Sequence, residues 1–588
     1  MQKRATFHSR QKSPQTLDRL RLVQGCIYFA FLVIIGRLFY WQIFKGQELQ
    51  ALAESQYTSV SNWQGKRGKM YTADGHLLVG NQTVYTLFAQ PQYFKKSSVE
   101  IADALFSSLK TLPDTASPSG KITPLTFDEL KNKLADSDKK WIAIQQEVNE
   151  DQKKAIEALD LPGIGFDAYT IRQYPEASLA AQIVGFVGKD TNGADIGYFG
   201  IEGQLDRELQ GHVAKVKRKT DARGRTLSLT DSSLPDNEDG RDVKLTIRRD
   251  VQYMLEKKLL AGMNKYGAIS GEVLVMDPRT GNILGMASFP NYDPKHYAQY
   301  PQEWYRNPLV AEGYEPGSTF KVLTVSAGID AGIISPETIC TRCATARKIA
   351  GYTLKTWNEV YNPNITIRDG LAKSDNTAMI FVAEELGQEK FTDYLEKFQI
   401  GKASGVELQE DSGTQIRKNW TPIDLATTSF GQGIATTGLQ MVKAVGAIAN
   451  NGNMMRPKIL ESVKVDGEEV KVEPELLGQP VSAKTAATVT EMMVHAASQG
   501  EAKWTASQKY SVAGKTGTAQ IPVAGHYDAD KTIASFIGFA PASNPEFVML
   551  VKLREPQSSQ WASETAAPLW YDISKELFIL LNILPDRE

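Results

Sequence analysis

The chain has 588 residues, of which 42 % are apolar and 23 % charged, and a formal net charge of −2. That length exceeds what one hydrophobic core serves, so two or three domains are expected. The near-neutral charge argues against a general nucleic-acid binder, and six histidines and three cysteines without repeated Cys/His spacing carry no zinc signature. No metal site is expected, and proton transfers fall to Lys, Glu or Ser.

Residues 1–21 hold Lys3, Arg4, Arg10, Lys12, Arg19 and Arg21 against one acid, Asp18, and read as a cytoplasmic tail. Residues 22–44 are mostly apolar, most densely over 26–35. A helix of about 20 residues crosses a hydrocarbon core of about 30 Å, so this segment can span a bilayer once as an anchor. Arg37 can snorkel to the far interface, where Tyr40 and Trp41 suit the aromatic belt. The charge bias predicts a cytoplasmic amino terminus and an extracytoplasmic remainder. A cleaved signal peptide competes, since Ala51-Leu52-Ala53 imitates a cleavage site, but polar residues 45–50 separate it from the apolar run. Outside the cytoplasm Cys340 and Cys343 meet oxidising conditions; an i,i+3 disulfide is geometrically tight, and the spacing leaves it open.

Residues 45–235 form a first extracytoplasmic domain, strand-rich from 57 onward, with turn signals at Asp74-Gly75, Asn192-Gly193 and Pro235-Asp236. Within it, 98–161 reads as helical, with Leu130, Leu134, Ile156 and Leu159 at helical spacing, and 115–120 as an exposed loop. The basic run Lys215, Lys217, Arg218, Lys219, Arg223 and Arg225 reads as a solvated face. A polar stretch at 232–241 marks the boundary, and 236–588 behaves as one large α/β domain. Its predicted strands are 243–247, 273–276, 283–287, 534–539 and 547–552; a helix begins near Val251 and a strongly apolar one covers 573–583.

Three short motifs fall in order in that domain: Ser318-Thr319-Phe320-Lys321, Ser374-Asp375-Asn376 and Lys515-Thr516-Gly517-Thr518. Ser-x-x-Lys also occurs at Ser9/Lys12, Ser107/Lys110 and Ser137/Lys140, yet only the Ser318 copy follows a Pro316-Gly317 break and opens a helix-compatible apolar run. A serine hydroxyl needs a base to become a nucleophile, and residues i and i+3 of a helix start share a face, so Lys321 is placed to serve Ser318. A lysine does so when burial or a neighbouring cation lowers its pKa, and Lys515 supplies that cation. Ser374 can relay a proton, and Asn376 can orient Lys321 and a substrate amide. The third motif should be a strand at the mouth of the site. There Gly517 admits a substrate backbone, Thr516, Thr518 and Lys515 hold a terminal carboxylate, and the N–H groups of Ser318 and Thr518 face an oxyanion. A helix cap is the plain alternative for Ser374 and Asn376, and an edge strand with a bulge for the third motif. His526 and Tyr527 follow the third motif on a loop that can border the substrate groove, though a solvated loop is the plainer reading.

The ordered Ser-x-x-Lys, Ser-x-Asn and Lys-Thr-Gly set resembles that of penicillin-binding proteins and serine β-lactamases. Glu315-Pro316-Gly317 before Ser318, and Ser429-Phe430-Gly431-Gln432-Gly433 with Thr437 and Gln440, are similar to the class B penicillin-binding proteins. Arg67-Gly68 with Asp74-Gly75, Arg172-Gln173-Tyr174-Pro175, and Gly200-Ile201-Glu202 with Leu209 and Gly211 resemble that family's pedestal motifs. Arg248, where an acid is usual, and the Cys340/Cys343 pair depart from the family pattern. The resemblance implies an α/β (α+β) transpeptidase fold, with an antiparallel sheet flanked by helices, behind a strand-rich pedestal and one transmembrane helix. It implies a peptidoglycan D,D-transpeptidase of the bacterial cytoplasmic membrane, acting on D-Ala-D-Ala stem peptides through a serine acyl-enzyme, acylated by β-lactams, and using no metal or organic cofactor. A polytopic membrane glycan polymerase is the implied partner. The look of Gly200-Ile201-Glu202-Gly203-Gln204, and no domain beyond Glu588, favour cell division over elongation. A non-catalytic β-lactam or wall-peptide sensor and a hydrolase remain rival readings; no Glu-x-x-x-Asn segment for a hydrolytic water stands between the second and third motifs.

Overall fold

The computed structural model describes residues 14–110, 125–136, 138–219, 239–523 and 526–587. The chain divides into two compact units, residues 1–65 with 212–238, and residues 66–211 with 239–588. In the first, helix Pro14–Phe39 runs into a π-helical turn Tyr40–Phe44 and then helix Gly46–Tyr57. Residues Arg19–Phe44, with a mean hydropathy of 2.0, are long and apolar enough to cross a membrane; no other helix among the described residues is. Thr58–Gln64 pairs antiparallel with Val213–Lys219 in the same unit. The side chains of the basic run at 215–219 lie outside the described residues. So do Arg223, Arg225, the loop at 115–120, the turn at 235–236 and most of the stretch 232–241.

In the second unit the long strand Leu77–Ala89 pairs antiparallel with both Ile142–Val148 and Ile164–Gln173. The stretch expected to be helical contains helices Ser98–Lys110, Phe127–Ala135 and Glu150–Glu157, with strand Ile142–Val148 between the last two. Ile142, Ile144 and Val148 are buried, at spacings of two and four that keep them on one face of a strand set among helices. Capping boxes at Thr126 and Asn149 start the flanking helices. Strand Val243–Leu245 lies parallel to Met70–Tyr71 on one side and antiparallel to Leu460–Val465 on the other, so one sheet joins early and late parts of the unit. Nearby, buried Glu202 accepts from Arg67 Nε at 2.6 Å and Arg172 Nε at 2.7 Å.

The larger part is built on five antiparallel strands: β1 (Ser270–Met276), β2 (Ile283–Phe289), β3 (Ala513–Val523), β4 (His526–Ala540) and β5 (Phe547–Arg554). Their spatial order is β2-β1-β5-β4-β3, which leaves β3 at an edge. Around the sheet stand α1 (Arg249–Tyr266), α2 (Lys321–Asp330), α3 (Asn376–Leu386), α4 (Gly438–Ala449), α5 (Ala483–Gln499) and α6 (Ala566–Leu580). Successive strand residues alternate between faces. Val273, Val275, Phe536, Met549 and Val551 pack with Leu255 and Leu259 of α1 and Trp570 and Ile573 of α6. Leu274, Met276, Ile537, Phe539, Val548 and Leu550 cluster with Leu439, Val442 and Val445 of α4 and Val322 and Leu323 of α2. The antiparallel sheet flanked by helices is the expected fold class.

Candidate active site

Ser318 lies in a 3-10 turn, Gly317–Phe320, that leads into α2. Its neighbours Gly317, Thr319 and Phe320 are buried, while Ser318 is half-buried. Gly317 adopts φ +55°, a conformation that favours glycine. Its N–H donates to Gly431 O at 3.0 Å, and a Cβ on Gly431 would lie 2.2 Å from Gly317 O. Thr324 Oγ1 of α2 donates to Ser429 O at 2.7 Å, and Gly433 N donates to Glu315 Oε1 at 3.0 Å. The glycine-rich segment 429–433 therefore clamps the serine turn from both sides. Tyr527 Oη also donates to Glu315, at 3.1 Å, so this residue borders the turn and is not merely a solvated loop side chain.

Lys321 is fully buried, and its Nζ donates to Ser374 O at 2.6 Å, Asn376 Oδ1 at 2.7 Å and Ser374 Oγ at 3.2 Å. Lys515 Nζ reaches the same Ser374 Oγ at 3.0 Å and also contacts Thr516 O and Thr516 Oγ1 at 3.0 Å. Burial, and then the Lys515 cation, hold Lys321 well below the ordinary lysine range. Burial also pushes Lys515 down, opposed by the Glu501 carboxylate. Ser318 Oγ makes no hydrogen bond among the described residues; the i,i+3 spacing brings Lys321 beside the turn, but its Nζ is turned to the second motif. Capping of α3 falls to Asp375, whose side chain accepts from Thr377 N at 2.7 Å and Ala378 N at 3.2 Å. That leaves Ser374, held at φ +54°, and Asn376 to face the lysines.

The third motif is on β3, at the edge of the sheet, as its sequence led us to expect. A Cβ on Gly517 would stand 2.7 Å from Thr319 Cγ2 and from Ser535 Oγ, and 3.0 Å from Pro316 O. The space a side chain would take is thus filled by the serine turn and by Ser535 of β4, so the turn packs directly on the strand. Thr518 Oγ1 accepts from Ala562 N at 3.1 Å and keeps its own proton for a ligand. Thr516 Oγ1 is committed in both directions, accepting from Lys515 and donating to Glu501 Oε2 at 2.9 Å.

Glu501 has no place in the motif reading. It follows Gly500 at the end of α5 and reaches the site only through the fold, so an acid after a helix-ending glycine is its sole trace in sequence. Trp357 and Trp561, with ring centroids 5.2 Å apart, link the second-motif side, where Trp357 Nε1 donates to Lys373 O, to the loop that holds Thr518. Cys340 and Cys343 are disulfide-bonded, with Cα atoms 5.6 Å apart, and lie buried with Val325 of α2 and Met379 of α3. Among the described residues no group of His, Cys, Asp and Glu is arranged to hold a metal ion.

An antiparallel sheet with a serine turn packed on its edge strand, and two buried lysines on one hydroxyl, defines a penicillin-interacting fold. The penicillin binding protein transpeptidase domain matches residues 271–575, and the penicillin-binding protein dimerisation domain matches residues 63–245. Stage V sporulation protein D of Bacillus subtilis is 30 % identical over 568 residues, covering 95 % of this chain and 85 % of that protein. Peptidoglycan D,D-transpeptidase FtsI of Escherichia coli K12 is 28 % identical over 575 residues, covering 97 % and 92 %. The crystal structure of penicillin binding protein 2X from Streptococcus thermophilus superposes with a TM-score of 0.75 at 23 % identity, covering 90 % of this chain and 81 % of that one. The chain belongs to the class B penicillin-binding proteins. It is a penicillin-binding transpeptidase, and the apolar helix near its amino terminus, the one of membrane-spanning length among the described residues, fits a single-pass membrane protein.

Proposed function

We propose that the chain is a peptidoglycan D,D-transpeptidase that works through an acyl-enzyme on Ser318. What carries the reading is the meeting of Lys321, Ser374 and Lys515, from three distant segments, at one hydroxyl beside the Ser318 turn. Neutral Lys321 takes the Ser318 proton as Oγ attacks the penultimate D-alanine carbonyl of a stem peptide. The N–H groups of Ser318 and Thr518 receive the developing oxyanion. The proton returns through Ser374 Oγ to the leaving D-alanine amine. An amine from a neighbouring stem then attacks the ester, gives up its proton along the same path and frees Ser318. Asn376 keeps Lys321 in place, Lys515 and Thr518 hold the substrate carboxylate, and Gly517 keeps the turn against β3. β-Lactams acylate the same serine, and no metal or organic cofactor takes part.

The basic residues ahead of the apolar helix support a cytoplasmic amino terminus, with the remainder outside the bacterial cytoplasmic membrane. The buried disulfide fits that compartment. In this reading residues 45–235 are a pedestal carrying a transpeptidase domain, 236–588, towards the wall. A polytopic glycan polymerase partners the anchor and pedestal, and the setting is septal wall synthesis. The likeness to a stage V sporulation protein favours a second setting, the sporulating cell. Depletion in growing cells gives filaments if the septal setting holds, and a defect confined to sporulation if the second one does.

Mass spectrometry of the detergent-purified chain after exposure to benzylpenicillin tests the chemistry. One adduct on the Ser318 peptide, absent in Ser318→Ala and persisting for many minutes, is the expected result. An adduct lost within seconds points to a hydrolase, and a folded chain without an adduct to a sensor; either sinks the reading.

A further inference from the structure

We propose that Glu501 is a positioning residue: acting through the Thr516 hydroxyl, its carboxylate keeps the proton on Lys515 and so leaves Lys321 neutral as the base. The inference rests on the acyl-enzyme reading of Ser318. Lys321 and Lys515 are both buried, at 0 % and 3 % exposure, and share Ser374 Oγ at 3.2 and 3.0 Å. That hydroxyl is nearly equidistant from the two amines and does not by itself choose between them. The remaining partners do. Lys321 meets only neutral oxygens, Ser374 O and Asn376 Oδ1. Lys515 meets Thr516 Oγ1 at 3.0 Å, whose proton goes to Glu501 Oε2 at 2.9 Å, forming a chain from ammonium through hydroxyl to carboxylate.

The charged groups bearing on the pair are few. Burial and then the Lys515 cation disfavour a charged Lys321, while Glu501, after α5, and more weakly Asp375, at the start of α3, favour it. Burial and the mutual repulsion of the two lysines bear on both amines and do not choose between them; on Lys515 the Glu501 carboxylate favours the charge, through the Thr516 hydroxyl that the two share. Asp375 is in addition held by Thr377 N and Ala378 N as the cap of α3. A single shared proton therefore settles on Lys515, and two coupled lysines titrate as a pair with Glu501 setting the asymmetry. One consequence concerns the substrate. With the Thr516 proton committed to Glu501, a terminal carboxylate meets the Lys515 charge and the Thr518 hydroxyl, and Thr516 contributes through Lys515.

The test is the rate of Ser318 acylation by benzylpenicillin across pH 6 to 10, in the full chain and in Glu501→Gln and Glu501→Asp. Glutamine still offers Thr516 an acceptor oxygen but carries no charge. Its profile should move to lower pH, the alkaline limb furthest, with a loss of roughly tenfold at pH 9, the factor that one unit of pKa carries. Aspartate should restore most of that limb. A wild-type profile in Glu501→Gln, or a loss equal at every pH, overturns the proposal while Ser318 stands. A wild-type chain that forms no Ser318 adduct removes the acyl-enzyme reading, and this proposal with it. Should Glu501→Gln fail to fold in a thermal melt, Thr516→Val breaks the same chain of bonds. It should displace the alkaline limb in the same direction, and an unmoved limb overturns the proposal.

Discussion

Lys443 stands in the middle of α4 at 1 % exposure, with Nζ donating to Gln399 Oε1 at 3.1 Å. Burial, only partly offset by Asp411, pushes it down to about 8. The unfolded chain holds that proton up to about pH 10.4. Between those values the unfolded state binds more protons, so stability rises with pH across the window; below about 8 the cost of a buried ammonium is felt in full. Lys443→Met should therefore stabilise the protein at pH 7, by on the order of 2 kcal/mol. The gain should shrink towards zero at pH 10. Urea unfolding of both proteins at the two pH values checks this, and an equal gain at both would remove burial of charge as the cause. The contrast with Lys321 and Lys515 shows what single residues disclose in a sequence. Those two were legible because catalysis ties a lysine to a nearby serine or glycine in a short pattern. Lys443 lies in an apolar helix with no pattern around it, and Glu501 meets its partners only in three dimensions.

At the scale of elements, the serine turn depends on the segment 429–433 more than on α2. Gly431 has φ +80°, and its missing side chain admits the carbonyl of Gly317. A β-carbon there is strained by conformation and by contact with backbone that cannot swing aside. Gly431→Ala should displace the turn and lower the acylation rate about 100-fold, as a misplacement near 1 Å does elsewhere. Its unfolding free energy should fall by only about 1–3 kcal/mol. Stopped-flow acylation beside a thermal melt separates the two effects, and a variant acylating at the wild-type rate would show that the clamp is incidental. The glycines were visible in the sequence as a family-like stretch, but their partner was not, because a backbone-to-backbone contact leaves no side-chain signature. A different limit hid strand Ile142–Val148. Seven residues are too short for a period of two to stand out between capped helices that start and stop by local signals. Helix α6 starts earlier than the apolar run 573–583 predicts. It begins at Ala566, and Trp570, whose Nε1 donates to Met549 O at 2.9 Å, fixes its first turns to the sheet.

At the scale of the whole molecule, the motif that reads as pedestal decoration is a buried ionic joint. Glu202 is fully buried between Arg67 and Arg172, and Arg67 also meets Asp206 at 2.8 Å. Strand Val243–Leu245 carries the same region into the sheet that continues to Leu460–Val465. Three residues specify a strand but not its neighbours, so that continuity across the expected boundary could not be read from the sequence. A shared sheet, with cross-links such as Phe199 N to Gln409 Oε1 at 2.6 Å and Arg249 Nε to Glu176 Oε1 at 2.7 Å, makes residues 66–211 and 239–587 one cooperative body, which should melt in a single transition. Removing one partner of a buried ion pair leaves charge uncompensated, at about 3–5 kcal/mol. Glu202→Ala takes the carboxylate from two guanidinium groups at once, leaving Arg67 with Asp206 and Arg172 with no acid among the described residues. Though Glu202 pairs with Arg67 and Arg172 and not with Ser374 or the lysines, the change should still lower the temperature at which penicillin labelling of Ser318 is lost, and by the same amount as the calorimetric transition. Two separate transitions, with labelling unmoved, would mean that the pedestal unfolds alone and that the site does not depend on it.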